Sequence, residues 1–506
     1  MSVFILFIAC INFINLSTAY SSIRGKEVGV RKVLGAARFT LIKHYLSESV
    51  LLSFISFALA WVLAELWLPE LNRLLNTDIG ISLSGDWQFI SALIGFTFFV
   101  GVLSGSYPAF LLSSFHPVKV LKGVVKPGKK GPAIRRVLVT SQFLLCVLFI
   151  ILSIVIFKQG TYIKNMDKGY SENNIVTQWF DNSGDKNIDK FIVLKDELLK
   201  NPGILSASLS SNLPYAIYND KKVNWEGSKK DEHIWITYSR IGNNFFDVYD
   251  LELLRGRKFL KEFSEEGENA CIINEKALAM FGWDSPIGKR IGDENYKVVG
   301  VVKDFCSSDM RLGIKPVMLL PYRSSSIEGF YFSLALAPGT NAGSLGFIKR
   351  KLAEIMPDEA FEFRFFSDII ADTFVEFENI NRLLTYFAVL SIILAALGLY
   401  AIASFSTQRR TKEIGIRKVI GASAAKVLLL VSKEFVKILI IANLIAWPIA
   451  YLFMNFFLRQ FVFRIDLQVW MFLVPGLLVF AAAAVTVSYH TIKAAFTNPV
   501  EALRYE

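Results

Sequence analysis

The 506-residue chain carries few side chains spaced for making or breaking bonds. Residues 282–290, GWDSPIGKR, have the outline of a phosphate-binding loop, whose backbone N–H groups and lysine would cradle phosphates. Five residues separate Gly282 from Gly288, one too many, and Arg290 stands where a hydroxyl should meet magnesium, so a turn is expected there. His44, His116, His233 and His490 are scattered, and no metal site follows from them. Cys10, Cys146, Cys271 and Cys306 show neither metal-ligand spacing nor a disulfide framework. Cys271 and Cys306 share one polar stretch, but the sequence sets no distance between them. Asp304 and Asp309 are expected to cap or solvate a loop. Glu48, Glu65 and Glu434 fall in apolar stretches, where a carboxylate suggests a proton relay. Each lies near the end of its stretch, so interfacial placement is the cheaper reading. No catalytic constellation remains, and an enzyme is not expected.

One arrangement of charges does recur. Residues 24–36 read RGKEVGVRKVLGA and residues 410–422 read RTKEIGIRKVIGA, identical at nine of thirteen positions. On a helix, Lys26, Val30 and Val33 share one side, and Glu27, Arg31 and Leu34 share another. Gly29 and Gly35, like Gly415 and Gly421, would each cost a helix interior about 1 kcal/mol against alanine, so bends or close-approach points are expected. The chemistry on offer is docking. A short amphipathic helix with aliphatic Val28, Val30, Val33 and Leu34 and fixed charges suits a soluble partner. A basic helix lying on anionic lipid is the rival reading. Lipid attraction requires neither a repeated glutamate nor repeated glycines, which favours the protein partner. The site residues are therefore Lys26, Glu27, Gly29, Arg31, Lys32 and Gly35, with Lys412, Glu413, Gly415, Arg417, Lys418 and Gly421 as counterparts.

These segments must be held by something, and composition says what. The chain is 53% hydrophobic with 43 phenylalanines and only 20% charged residues. Its mean hydropathy is +0.42, unlike an ordinary soluble enzyme. About 20 apolar residues cross a bilayer core. Seven such stretches are expected, at 2–22, 46–68, 89–112, 137–158, 383–406, 427–456 and 469–489. The segments 23–44, 113–136, 408–426 and the tail together hold 21 Lys/Arg, against 3 in the short loops 69–88 and 458–468. Positive loops stay cytoplasmic. The N-terminus is thus expected outside, the C-terminus inside, and the polar 159–380 stretch outside. The +11 net charge is then a topology signal, and nucleic acid is not an expected partner.

The repeat extends beyond the motif. At the same offset of 386 Glu48 pairs with Glu434; at an offset of 382, SYPAFLLSSFHPVKVLK (106–122) matches SYHTIKAAFTNPVEALR (488–504) at Ser106/Ser488, Tyr107/Tyr489, Pro117/Pro499, Val118/Val500 and Leu121/Leu503. Two parallel bundles follow, related by an axis along the membrane normal. Gly101/Gly105 and Ala481–Ala484 put small residues in the third stretch of each copy, where helices can approach closely. The domain reading is a first bundle at 1–122, a basic linker at 123–136, a transmembrane helix at 137–158, an outer domain at 159–380 and a second bundle at 381–506. The fold class is an α-helical membrane protein of seven transmembrane helices in two parallel repeats, with an α+β extracytoplasmic domain.

The motif KE(V/I)G(V/I)RKx(L/I)GA, the Pro-Val pairs and the order of apolar stretches resemble the MacB/FtsX-type ABC transporter permeases, especially the duplicated permeases of Bacteroidota. NNFFDVYDLELLRGRKF (243–259), INEKALAMFGWDSPIGKRI (273–291) and YKVVGVVKDF (296–305) resemble that family's extracytoplasmic core domain. The duplicated members have a further span and outer domain before the first half, so the chain reads as shortened at its N-terminus. The resemblance implies a non-catalytic subunit in a bacterial inner membrane, with the outer domain periplasmic. It implies a separate cytoplasmic ABC ATPase as partner, which binds the ATP, so this chain needs no cofactor. Glu27, Arg31 and Gly35, with Glu413, Arg417 and Gly421, would face that ATPase. Membrane lipid is a second partner, and a periplasmic or outer-membrane partner is a third. The implied work is mechanotransmission: export or extraction of a lipoprotein, lipid, peptide or drug.

In the outer stretch, strands are expected at 235–241, 270–274, 296–302, 317–322 and 330–337. Helices are expected at 187–200, 274–281 and 343–356, and 366–382 is expected to run into the fifth span as one helix. Two rival readings stand beside the permease: a sensory subunit whose outer domain binds a ligand and signals to a kinase, and an inactive gene fragment.

Overall fold

The computed structural model describes residues 2–75, 80, 87–114, 130–181, 188–229, 231–259, 269–308, 313–322, 329–339, 341–357, 359–409, 416, 420 and 424–495. The chain divides into two compact units. The first comprises Met1–Phe157, Asn379–Asn455 and Leu467–Glu506, and the second Lys158–Glu378 and Phe456–Asp466.

The first unit is built of helices: α1 (Ser2–Val33), α2 (Arg38–Leu75), α3 (Trp87–Ser113), most of α4 (Lys130–Asn165) and of α9 (Phe366–Arg409), α10 (Ala424–Leu458) and α11 (Trp470–Ala495). Their apolar residues run all round rather than on one stripe, as helices in lipid require. Among the described residues six helices are long and apolar enough to cross a membrane: Arg38–Arg73, Trp87–Ser113, Ala133–Asn165, Phe366–Ser404, Ser432–Leu458 and Trp470–Tyr489. The stretch expected at 2–22 is a shorter apolar helix over its described residues, Ser2–Thr18. α2 and α3 touch through small residues. A Cβ on Gly101 would fall 2.8 Å from the Val50 Cα, and one on Gly105 would fall 2.5 Å from Ser49 Cβ. In the second copy, Gly476 of α11 meets the Asn443 side chain of α10.

The second unit is a mixed α/β domain. Among its described residues eleven strands form one sheet in the order β11-β1-β10-β2-β4-β9-β6-β8-β5, with β3 paired to β4 and β7 to β8. They are β1 (Ile175–Asp181), β2 (Ile204–Ser210), β3 (Asn219–Val223), β4 (Ile234–Ile241), β5 (Leu253–Gly256), β6 (Ala270–Asn274), β7 (Arg290–Ile291), β8 (Tyr296–Val302), β9 (Val317–Pro321), β10 (Gly329–Leu336) and β11 (Arg364–Phe365). β4–β9 and β6–β8 are parallel, and the other pairs are antiparallel. α5 (Ile188–Leu198) and α8 (Asn341–Ile355) bury Phe191, Leu194, Ile348 and Leu352 against Val176, Phe180, Phe330 and Phe332. α7 (Glu275–Phe281) lies on β6, β8 and β9. The short α6 (Phe245–Tyr249) buries Phe245, Phe246 and Tyr249, and the Tyr249 hydroxyl donates to Ser333 Oγ at 2.8 Å.

All five expected strands and all three expected helices of this unit are present, and α9 runs unbroken from residue 366. Residues 282–290 form a turn, with Gly282 and Gly288 at φ +68° and +91°. Cys271 and Cys306 are buried free thiols in two different core clusters. Burial raises both thiol pKa values, Cys306 to about 11. Asp304 caps: its Oδ1 accepts from the Lys276 N–H at 2.9 Å and from Asn274 Nδ2 at 2.8 Å. Burial raises its carboxyl pKa. Asp309 lies outside the described residues.

Candidate functional site: the repeated basic segments

The first segment is not a separate short helix. It is the last part of α1, which continues to Val33 without a break. Gly29 lies inside that helix and is buried, so it makes no bend. Nothing between residues 2 and 33 is a strong enough breaker: there is no proline, and the two interior glycines, Gly25 and Gly29, cost only about 1 kcal/mol each. The helix stops at Gly35, whose φ is +92°. The Gly35 N–H donates to the Lys32 carbonyl at 3.1 Å and the Ala36 N–H to the Arg31 carbonyl at 2.9 Å. This is a Schellman closure, and it needs the left-handed residue that glycine supplies. Nothing lies within 4 Å of a Cβ on Gly35, so backbone conformation alone calls for glycine there.

The two faces of this helix end differ in chemistry. Inward, Val28 is fully buried with Leu41, Tyr45, Ala109 and Leu112. Val28 therefore packs within the unit and is not part of an outward aliphatic face. Lys32 also turns inward, and its Nζ donates to the Ser113 carbonyl at 2.7 Å, at the end of α3. Burial, with Arg38 nearby, pulls its ammonium below the usual lysine range. A cation is well placed there, because the C-terminal end of α3 is the negative pole of the helix dipole. Outward, Arg31 Nη2 and Glu27 Oε1 form an i,i+4 pair at 2.6 Å, both half exposed. Val30, Val33 and Leu34, on the same helix end, are all exposed. Lys26 belongs to the same helix. An ion pair beside exposed aliphatics offers a partner both apolar area and charges that can set register.

Of the second segment, Lys412, Glu413, Gly415, Arg417, Lys418 and Gly421 lie outside the described residues. Ile416 and Ile420 are described, and they are the counterparts of Val30 and Leu34. The Ile420 N–H donates to the Ile416 carbonyl at 3.1 Å, as Leu34 does to Val30 at 3.0 Å. Val30 and Ile416 are 48% and 46% exposed, and Leu34 and Ile420 are 81% and 79% exposed. The hydrogen bond between the two aliphatics and their exposure are thus alike in both segments.

Two family models match along the chain. The FtsX-like permease C-terminal model matches residues 1–117 and 385–499. The MacB-like periplasmic core domain model matches residues 145–346. The chain belongs to the MacB/FtsX-type ABC transporter permeases. Like other permeases of this type it is a multi-pass membrane protein with a periplasmic-type domain. Each basic segment falls inside a stretch matched by the FtsX-like model. The macrolide export ATP-binding/permease protein MacB of Aggregatibacter actinomycetemcomitans is 28% identical over 208 residues, covering 37% of this chain and 31% of that protein. The uncharacterized ABC transporter permease YknZ of Bacillus subtilis is 24% identical over 232 residues, covering 44% of this chain and 58% of that protein. The matched part of this permease spans about a third of the length of its MacB relatives. Among solved structures, the periplasmic region of MacB from Actinobacillus actinomycetemcomitans is 17% identical, covers 42% of this chain and 97% of that one, and has a TM-score of 0.29.

Proposed function

We propose that this permease is the membrane subunit through which a separate cytoplasmic ATPase performs work on the far side of the bilayer. The observation that carries the reading is the recurrence of one gripping surface. Residues 24–36 and 410–422 share nine of thirteen residues, and their described outward aliphatics match in exposure. A motor with two equivalent subunits would need two equivalent handles. The MacB relatives, whose name joins ATP-binding and permease functions in one protein, support the coupling to ATP.

In this reading both segments face the cytoplasm, the chain crosses a bacterial inner membrane seven times in two parallel bundles, and the C-terminus is cytoplasmic. Lys26, Glu27 and Arg31, with Lys412, Glu413 and Arg417, set the orientation of the ATPase. Gly35 ends the first helix at the seat. ATP binds to the partner alone. Closure of the ATPase displaces the two bundles, and the long α9, 44 residues in one helix, carries residues of both units. A rise of about 1.5 Å per residue makes it a rod of roughly 66 Å. The cargo is a lipoprotein, a lipid, a peptide or a drug.

Affinity purification of the full chain from its native membrane is expected to bring down an ABC ATPase. Glu27→Lys with Glu413→Lys is expected to abolish that association while the chain still reaches the membrane. Retained binding and retained ATPase stimulation in the double variant would refute the seat. Labelling of either segment by an impermeant reagent from outside intact cells would refute the topology.

A further inference from the structure

Residues 456–466 join α10 to α11, yet their contacts group them with the α/β unit. A connector between two membrane helices is ordinarily solvated and polar. This one turns phenylalanines inward. Phe461 is 3% exposed and belongs to the main core cluster of the α/β unit, with Phe457 and Phe463 packed against that cluster. The Phe461 ring meets Phe377 of α9 edge-on at 5.8 Å and Phe457 at 5.3 Å. A Cβ on Gly313 would fall 2.9 Å from Val462 Cγ1, so backbone and loop are in direct contact there.

One side chain fixes the register. Gln159, near the end of α4, is fully buried. Its Nε2 donates to the Phe463 carbonyl at 2.8 Å, and its Oε1 accepts from the Ile465 N–H at 3.0 Å. The amide thus completes both ends of a bridge that strands would make with backbone groups. Buried backbone polar groups without a partner are costly, so the loop has one seat and little reason to leave it. The connections on either side are short. Three residues lead from Leu458 at the end of α10 to Phe461, a reach of at most about 11 Å fully extended. Five lead from Ile465 to Trp470 at the start of α11, at most about 18 Å.

We propose that residues 456–466 are a latch, with Gln159 as its positioning residue, that makes the α/β unit follow displacements of the α10–α11 hairpin. The unit is then driven at three places: the end of α4, the start of α9 and the latch. The inference rests on the permease reading, because it requires a motor to displace the hairpin.

The test uses the full chain with its co-purified ATPase in proteoliposomes. The trypsin cleavage pattern of the α/β unit is compared without nucleotide and with ATP plus vanadate. The pattern is expected to change with nucleotide in the unaltered chain. In Gln159→Leu the change is expected to be lost while ATP hydrolysis continues. Closing a disulfide in Gln159→Leu carrying Phe377→Cys and Phe461→Cys is expected to restore it, which a merely misfolded loop would not allow. If Gln159→Leu fails to reach the membrane, Gln159→Glu keeps the bond from Ile465, loses the one to Phe463, and is read in the same way. A nucleotide-dependent change that survives the loss of Gln159 overturns the latch. So does an unaltered chain that binds its ATPase yet shows no change. An unaltered chain that binds no ATPase overturns the permease reading, and the latch with it.

Discussion

The two stretches matched by the FtsX-like model share an exposed aliphatic pair and differ in how their helices meet. Val30 and Leu34 repeat as Ile416 and Ile420 with the same turn and nearly the same exposure. Inside the bundles the contacts diverge. α2 and α3 approach through Gly101 and Gly105, which meet Val50 and Ser49, whereas α10 and α11 approach through Gly476 and the Asn443 amide. The paired carboxylates also differ in setting. Glu434 lies 3.8 Å from Arg136 of α4, and Glu48 lines a cavity of about 280 Å³ with Phe13, Leu16, Ser17, Tyr45 and Pro108. Packing between helices has many solutions, because any pair of small residues permits close approach. On the proposed function, a surface that must fit the same partner twice has few. On that reading the difference separates what each copy uses to hold together from what both copies use to act.

The largest effect should come from the packing side of that contrast. A Cβ on Gly101 would press on backbone, the Val50 Cα at 2.8 Å, which cannot rotate away. Gly101→Leu is expected to push α2 from α3 and destabilise the first copy by about 1–3 kcal/mol. At Gly476 the obstacle is the end of an asparagine side chain, so Gly476→Ala should be tolerated with a much smaller loss. Thermal unfolding of the purified chain in detergent would show the gap. Equal losses would mean that the two interfaces are built alike after all.

A smaller effect is expected at the helix ends. Gly35 sits at φ +92°, where a side chain costs about 1–2 kcal/mol. Gly35→Ala should loosen the Schellman closure and weaken ATPase association without changing expression. Gly421→Ala should weaken it equally if the second segment closes in the same way. Co-purification yields for the two single variants make the comparison, and a deficit confined to Gly35→Ala would show that only one copy is a handle.

How much of this was legible from residue order follows from what each signal measures. Long apolar stretches mark α2, α3, α4, α9, α10 and α11 because lipid demands apolar residues all round. Helix ends were less legible. The basic segment looked like a helix of its own, but no breaker separates it from the first span, and α1 runs on to Gly35. Alternation marked β6 and β8 to the residue. It did not mark β2, ILSASLS, whose Ser206, Ser208 and Ser210 are buried, nor β3, NDKKV, a polar strand paired only to β4. The inward turn of residues 456–466 was also missed. Its signal was present in Phe457, Phe461 and Phe463, an aromatic run too rich for a loop facing water. The seat of Gln159 depends on backbone groups some three hundred residues away, and no local pattern announces that.

The smallest effect tests whether the carboxylates matter for stability at all. Arg136 and Glu434 are 64% and 49% exposed and 3.8 Å apart. At that exposure a pair contributes at most about 1 kcal/mol, and salt screens it further. Glu434→Gln should therefore lower stability only slightly, and 1 M salt should erase the difference from the unaltered chain. Glu48→Gln removes the same charge from a wall of a cavity that also presents the hydroxyls of Ser17, Tyr45 and Ser49. The amide oxygen still accepts hydrogen bonds from such groups, so this substitution should be close to neutral, and salt should change it little. The two substitutions are isosteric and occupy equivalent positions, so backbone and shape effects cancel between them. What remains is the difference between their surroundings, the Arg136 guanidinium beside Glu434 among them. If both variants lost stability equally and kept the loss in high salt, the Arg136 pair would not be what distinguishes the copies. The divergence would then lie wholly in how their helices pack.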